Sequence, residues 1–423
     1  MAKLVDLIRT VPETAVRLYL GAKVARGDNG RVKIDLDGRD YEVTLEVLAQ
    51  AERVVRALRI RPRELKYATD VLELRLAAED LFMEDVFGVS SLRKILFVPA
   101  GDMMASAFYR ARMPADLLTE YGKAVAHFTD RLDLAKALRY EVLWIQLASS
   151  PMLYKIAQMA KAEGVKIVYD VDDRFDAIPA ENPAAAIYVE QKVADVWRIL
   201  ELADLVTVST NNLRDYIKGH VGDKVRVITN MVPAAIIPNR VPPPKDFTRI
   251  LWAGSPTHKR DLALIEPALS RILCRGNGKV RFTCFGERSP EGLPTDCVDM
   301  IGFVPFEDYL PKLADVGAHF GLAPLEDNAF NRGKSDVKFL EYAACGYASL
   351  LSPVGEYAEL SEGAHRILVP DNGWEEAISR AIESPALMDQ MGRQAQEWVR
   401  QNRCIMKSQA SQWLEAAEEV VKG

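Results

Sequence analysis

In the segment ILWAGSPTHKRDL (residues 250–262) an apolar run stops at Gly254, and the next six residues gather two hydroxyls, an imidazole and two cations before a helical pattern begins. A short, nearly continuous apolar run is what a parallel strand buried on both faces produces. In an open α/β sheet the carboxyl edge of such a strand is the edge that meets ligands. The segment therefore predicts a strand, a polar binding loop and a helix of a doubly wound sheet.

The same grammar extends in both directions. Upstream, KILFVPA (94–100), AVAHFT (124–129), EVLWIQLA (141–148), KIVYDVD (166–172), LVTVS (205–209) and RVIT (226–229) predict buried parallel strands. Helical stretches separate most of them, among them LDLAKALRY (132–140) and MLYKIAQMAKAEG (152–164), which closes on Gly164. Downstream come VRFTCFGE (280–287), VDMIGFV (298–304), AHFGLAPL (318–325), YASLLSP (347–353) and HRILVP (365–370), with helices expected near 261–274, 306–314 and 335–345. The two series are separated by PAAIIPNRVPPPKD (233–246), which carries five of the chain's 22 prolines and reads as a linker. Trp374 to Val421 reads as helical, interrupted near Pro385 and around 401–405. Residues 1–92 differ: two helical patterns flank RVKIDLDGRDYEVTLE, an alternating hairpin turning at Asp37-Gly38. The expected organisation is an α+β module (1–92), a Rossmann-like domain (93–232), a linker (233–246) and a second Rossmann-like domain (247–404). Two such domains make a cleft.

Composition narrows the class. The 423 residues carry 54 Lys and Arg against 60 Asp and Glu, a formal charge of −6, and 49% are hydrophobic. That balance disfavours a dedicated nucleic-acid binder. The five cysteines, Cys274, Cys284, Cys297, Cys345 and Cys404, form no CxxC pair, which argues against a disulfide framework or a structural zinc and fits a reducing, cytoplasmic setting. No signal-peptide pattern or long uncharged apolar window is present, so any membrane contact is expected to be peripheral.

PLEDNAFNRGKSDVKFLEYAACG (324–346) is the second segment with chemistry. Gly333-Lys334-Ser335 imitates the end of a phosphate-binding P-loop, but the glycine required five residues earlier is Asn328, and the intervening residues are bulky. The better reading is a helix capped by Ser335 or Asp336, with Lys334 and Lys338 four apart on one face and Glu341 one turn on. Two lysines at a helix N-terminus suit a diphosphate, and the carboxylate suits paired ribose hydroxyls. A solvated Lys/Glu surface is the bland alternative. In YDVDD (169–173), Asp172 and Asp173 gather at the carboxyl end of a strand, where they suit either the hydroxyls of a ligand or a DxD-type metal site. In FYRARMPADLL (108–118), Arg110 and Arg112 are candidates to clasp a substrate phosphate; a surface pair with Tyr109 packed inward is the alternative. Trp144, Trp197, Trp398 and Trp413 are assigned to packing.

WAGSPTHKRDL together with FNRGKSDVKFLEYAACG resembles the donor-binding half of the GT-B glycosyltransferases, specifically the retaining group with a Glu-x7-Glu pattern before a glycine. The resemblance spans about 93–423, including VITNMVP (227–233), and implies a final helix (405–423) that packs back on the first domain. It implies transfer of a sugar from a nucleotide-diphosphate sugar, UDP- or GDP-linked, to an acceptor hydroxyl, with retention, no metal and no cofactor. Lys259 takes the place of the lysine that holds the diphosphate, and Glu341 that of the glutamate that binds ribose. Gly302 and Phe303 lie where backbone holds the base. Gly254 ends the first strand. The family's loop arginine is Ser255 here, so Arg260 or His258 substitutes, or Lys334 contributes more charge. The first glutamate is Gly333, which moves the sugar contacts to Glu326, Asp327 or backbone. Lys259, Arg260, Lys334 and Lys338 are then expected to stabilise the departing diphosphate, which itself deprotonates the acceptor. A saccharide, lipid-linked glycan, protein or nucleic-acid base all fit as acceptor. The rival readings are a nucleotide-sugar epimerase on the same fold and an idle binding or assembly subunit.

Overall fold

The computed structural model describes residues 93–101, 105–120, 123–286, 290–405 and 411–422, together with three strands in the first 92. The chain divides into two units, Met1–Leu92 and Arg93–Gly423. In the first, β1 (Ala25–Arg26), β2 (Arg31–Leu36) and β3 (Arg39–Thr44) form an antiparallel sheet, with Ile34 opposite Tyr41 and Leu36 opposite Arg39. The Asp37-Gly38 turn and the flanking helical patterns lie outside the described residues.

The second unit contains two six-stranded parallel sheets. The first runs in the order β5-β4-β6-β7-β8-β9, with β4 Lys94–Pro99, β5 Val125–Phe128, β6 Val142–Gln146, β7 Lys166–Val171, β8 Leu205–Val208 and β9 Val225–Val227. The second runs β13-β12-β11-β14-β15-β16, with β11 Thr248–Ala253, β12 Val280–Phe285, β13 Val298–Ile301, β14 Phe320–Ala323, β15 Ala348–Leu351 and β16 Arg366–Leu368. β4 and β11 are the strands at which the order reverses, so the crevices that accept ligands open beyond Pro99 and Ala253. The apolar runs read from the sequence are these strands, because helices cover both faces: Ile95 to Phe97 and Val142 to Ile145 are fully buried. Helix Pro151–Ala162 starts on Ser150, whose hydroxyl accepts from Leu153 N, and closes at Gly164 with φ 94°.

After β10 (Val232–Pro233) the chain enters the second sheet, and β17 (Cys404–Ile405) returns to pair with β10 in parallel. Helix Ser411–Lys422 then places Trp413, Ala416, Ala417 and Val420 in one core with Ile95, Phe97, Val142 and Trp144 of the first sheet. The five cysteines are free, four of them buried.

Two local expectations are corrected. The expected helix at 335–345 runs Val337–Ala344, and neither Ser335 nor Asp336 caps it through its side chain. Ser335 accepts from Asn230 Nδ2 (2.8 Å) and Asp336 takes both arms of Arg403 (2.7 and 2.8 Å), so tertiary partners outbid the helix end. Lys334 precedes the helix and does not share a helical face with Lys338.

Candidate functional site: the cleft at the ends of β11 and β14

The site is assembled by the loops that leave β11 and β14. Gly254 ends β11 with its N–H on Phe285 O (3.0 Å), and Gly286 ends β12 beside it. A Cβ on Gly286, whose φ is 94°, would sit 2.7 Å from Gly254 O, and one on Gly254 would meet the Trp252 ring at 2.8 Å and Lys338 Nζ at 3.0 Å. Bare backbone therefore brings the Lys338 ammonium onto the strand end.

Lys338 is held there from below. Tyr342, one turn on, donates to Leu322 O (3.1 Å) and accepts from Ala253 N (2.8 Å), which fixes helix Val337–Ala344 against β11 and β14. Lys338 Nζ is shut off from solvent, makes no hydrogen bond among the described residues, and lies 5.0 Å from the Trp252 ring centroid. Burial brings its pKa down to about 8, with Lys334 pushing the same way against the attraction of Asp261 and Glu341. A buried, unpartnered cation is costly unless an anion arrives to meet it. Gly254→Ala is expected to displace the ammonium and weaken nucleoside-diphosphate binding at least tenfold, as measured by calorimetry.

Glu341 stands one turn past Lys338 and is 5% exposed. Its oxygens accept from Tyr109 OH (3.3 Å) of the first domain and Tyr309 OH (3.0 Å) of the second, and burial lifts its pKa to about 7. The carboxylate expected to bind ribose thus already spans the two domains through phenols. These pairings span 232 and 32 residues, so no local pattern announces them.

The loop after β11 centres on Asp261. Its Oδ1 accepts from Asn331 Nδ2 (2.7 Å) and Glu326 N (2.9 Å), and its Oδ2 pairs with His258 Nδ1 (2.8 Å). Burial holds the imidazole down to about 3, with Lys338 and Lys334 adding to it. Ser255 and Thr257 hydroxyls pair with each other at 2.7 Å. Lys259 is exposed and lines a groove between Pro256 and Thr257 on one side and Glu181 and Asn182 on the other. Arg260 bridges Glu181 (2.8 Å) and Glu326 (2.5 Å) across the domains, so in this arrangement its guanidinium is already occupied. Gly302 and Phe303 lie just past β13 and are exposed, Phe303 by 71%.

From the first domain, Asp173 meets Lys334 Nζ at 3.3 and 3.4 Å, while that ammonium also lies 4.3 Å from the Phe330 ring. Asp172 accepts from Gln146 Nε2 (3.1 Å), and burial, with Asp173 and Asp170 beside it, raises its pKa to about 7. Among the described residues no three His, Cys, Asp or Glu side chains converge as a metal ligand set.

Arg110, expected to clasp a phosphate, is 1% exposed and directs its guanidinium to Asp170 (2.9 and 2.6 Å), Ile228 O and Asn230 Oδ1 (3.2 Å), with Thr207 Oγ1 donating to the same Asp170 at 2.6 Å. Four of its five N–H donors are thus engaged inside the fold, as in a strut beside β7. Arg112 is exposed, 4.0 Å from Asp116. At Gly333 a Cβ would meet Arg174 Cγ at 2.7 Å, so a glutamate there requires the Arg174 side chain to shift.

Residues 260–415 match the family described as Glycosyl transferase-like. No curated protein matches the sequence. The structure is similar to sucrose-phosphate synthase from Thermosynechococcus elongatus, with a TM-score of 0.58 and 15% identity over 78% of this chain and 100% of that one. It is also similar to Anabaena HepE in complex with UDP and glucose, with a TM-score of 0.57 and 13% identity over 77% and 99%. A third likeness is to an alpha-glucosyltransferase in complex with UDP and a 13-mer DNA, with a TM-score of 0.52 and 14% identity over 79% and 100%. The fold is that of the GT-B glycosyltransferases. No described helix is long and apolar enough to cross a membrane.

Proposed function

We propose that the protein transfers a glycosyl group from a nucleotide-diphosphate sugar to an acceptor hydroxyl, with retention and without metal. The observation that carries this reading is the buried Lys338 ammonium at the bare end of β11, which has no hydrogen-bond partner among the described residues. It supplies the positive charge a diphosphate needs where an open α/β sheet receives ligands. The match of residues 260–415 to a glycosyl transferase-like family supports it, as do the similar structures that hold UDP.

In this mechanism the donor diphosphate lies over Gly254 against Lys338, with Lys259 at the groove mouth. As the glycosidic bond breaks, negative charge collects on the β-phosphate. Lys338 stabilises it from a position held before the reaction, so its effect needs little reorganisation, and Lys334 adds to it once released from Asp173. The departing phosphate takes the proton of the acceptor hydroxyl. Asp172 and Asp173, at the end of β7, orient the acceptor. The test is release of nucleoside diphosphate and labelled product from a panel of UDP-, GDP- and ADP-sugars, with saccharide, lipid-linked, protein and nucleic-acid acceptors. Donor conversion to an isomeric sugar without acceptor identifies the epimerase instead.

The pH dependence follows from Lys338. Its charged form is the one that binds the donor, and in the free protein it loses its proton above about pH 8. Affinity for a nucleotide sugar, whose own phosphates do not titrate in this range, is expected to fall toward tenfold per unit between pH 8.5 and 10. Lys338→Arg, permanently charged, flattens that profile even if its overall affinity is lower. Titration calorimetry across this range checks both.

A further inference from the structure

His258 has an arrangement that the diphosphate cradle does not use. Asp261 is held to its carboxylate form by the imidazole and by Glu326 N, and Asn331 Nδ2 is bonded to it as well, so it only accepts hydrogen bonds. Its Oδ2 at 2.8 Å therefore takes the Nδ1–H of His258. With Lys338 and Lys334 nearby, the ring stays neutral, and its Nε2 carries a lone pair. The side chain retains 16% of its exposure, and among the described residues Nδ1 alone of the ring nitrogens is hydrogen-bonded.

A phosphate oxygen has no proton to offer such a nitrogen. Phosphates need donors, which Lys338, Lys259 and backbone N–H groups supply. An acceptor fixed among cations is suited to an O–H group. Gly333 itself brings no side chain that could accept from such a group.

We infer that His258 Nε2, oriented by Asp261, accepts a hydrogen bond from a hydroxyl of the donor's sugar and so selects which sugar is transferred. This rests on the donor-site reading above. Because UDP contains the ribose and both phosphates but no transferred sugar, comparing UDP with UDP-glucose isolates the contact, with GDP and GDP-glucose measured in parallel. In His258→Leu, the Kd for the diphosphate is expected to stay within about twofold of wild type, while the Kd for the sugar ester rises about tenfold. His258→Gln, which keeps an acceptor near Nε2, recovers most of that loss. UDP-glucose analogues lacking single hydroxyls are expected to identify one whose removal no longer matters in His258→Leu. Equal loss for diphosphate and sugar ester, or no loss for either, overturns the inference. If wild type binds none of the four probes, the donor-site reading itself fails and takes this one with it.

Discussion

Replacing Lys338 with methionine is expected to lower the rate of glycosyl transfer by about 10²–10³, the usual scale for removing one preorganised charge stabiliser. The same substitution is expected to leave the protein as stable as wild type or more so. An unfolded lysine holds its proton to about pH 10.5, whereas burial makes Lys338 release it near 8. Below pH 8 the folded chain therefore carries the full desolvation cost, on the order of 1–3 kcal/mol. Between pH 8 and 10.5 the unfolded state binds more protons, so wild-type stability rises with pH there. Methionine fills much of the same volume without the charge, and in it that rise disappears. Thermal melts at pH 7 and 9 alongside kcat measurements separate the effects. A variant that loses activity by unfolding shows a lower Tm, the opposite of what is expected.

Arg110→Met is expected to be the most destabilising single change near the site. It strands Asp170, which is 0% exposed, with Thr207 Oγ1 as the remaining hydrogen-bond donor to its carboxylate among the described residues. Removing one partner of a buried pair costs about 3–5 kcal/mol, and at this chain size that lowers Tm by roughly 4–7 °C. The double change Arg110→Met with Asp170→Asn is expected to recover a substantial part, because the residual charge is gone. If Arg110→Met leaves Tm unchanged but abolishes binding of a phosphorylated acceptor, the strut assignment is wrong and the residue faces the ligand.

The strands and the two-sheet architecture were legible in the sequence because burial on both faces leaves unbroken apolar runs, and Gly254 and Gly164 mark their edges by geometry that few other residues tolerate. The two loops that build the site were legible too, since they follow β11 and β14, which flank a switch point. What was not legible is how side chains pair over long separations. Lys334 and Lys338 share helical spacing, but the short helix Ala329–Arg332 and its turn at Gly333 send Lys334 across the cleft to Asp173. For Arg110 the sequence suggests a phosphate clasp or a surface pair, because its buried partner lies 60 residues away on β7. The phenols on Glu341 and the Asp261 hub depend on the same kind of distant contact.

The most direct measurement is titration of wild type and Lys338→Met with UDP, GDP and ADP by calorimetry near pH 7.5. The cradle predicts that at least one of the three binds wild type and that Lys338→Met binds it at least tenfold more weakly while melting no lower. Unchanged affinity in the variant, or no binding of any of the three to wild type, contradicts a diphosphate site at the end of β11.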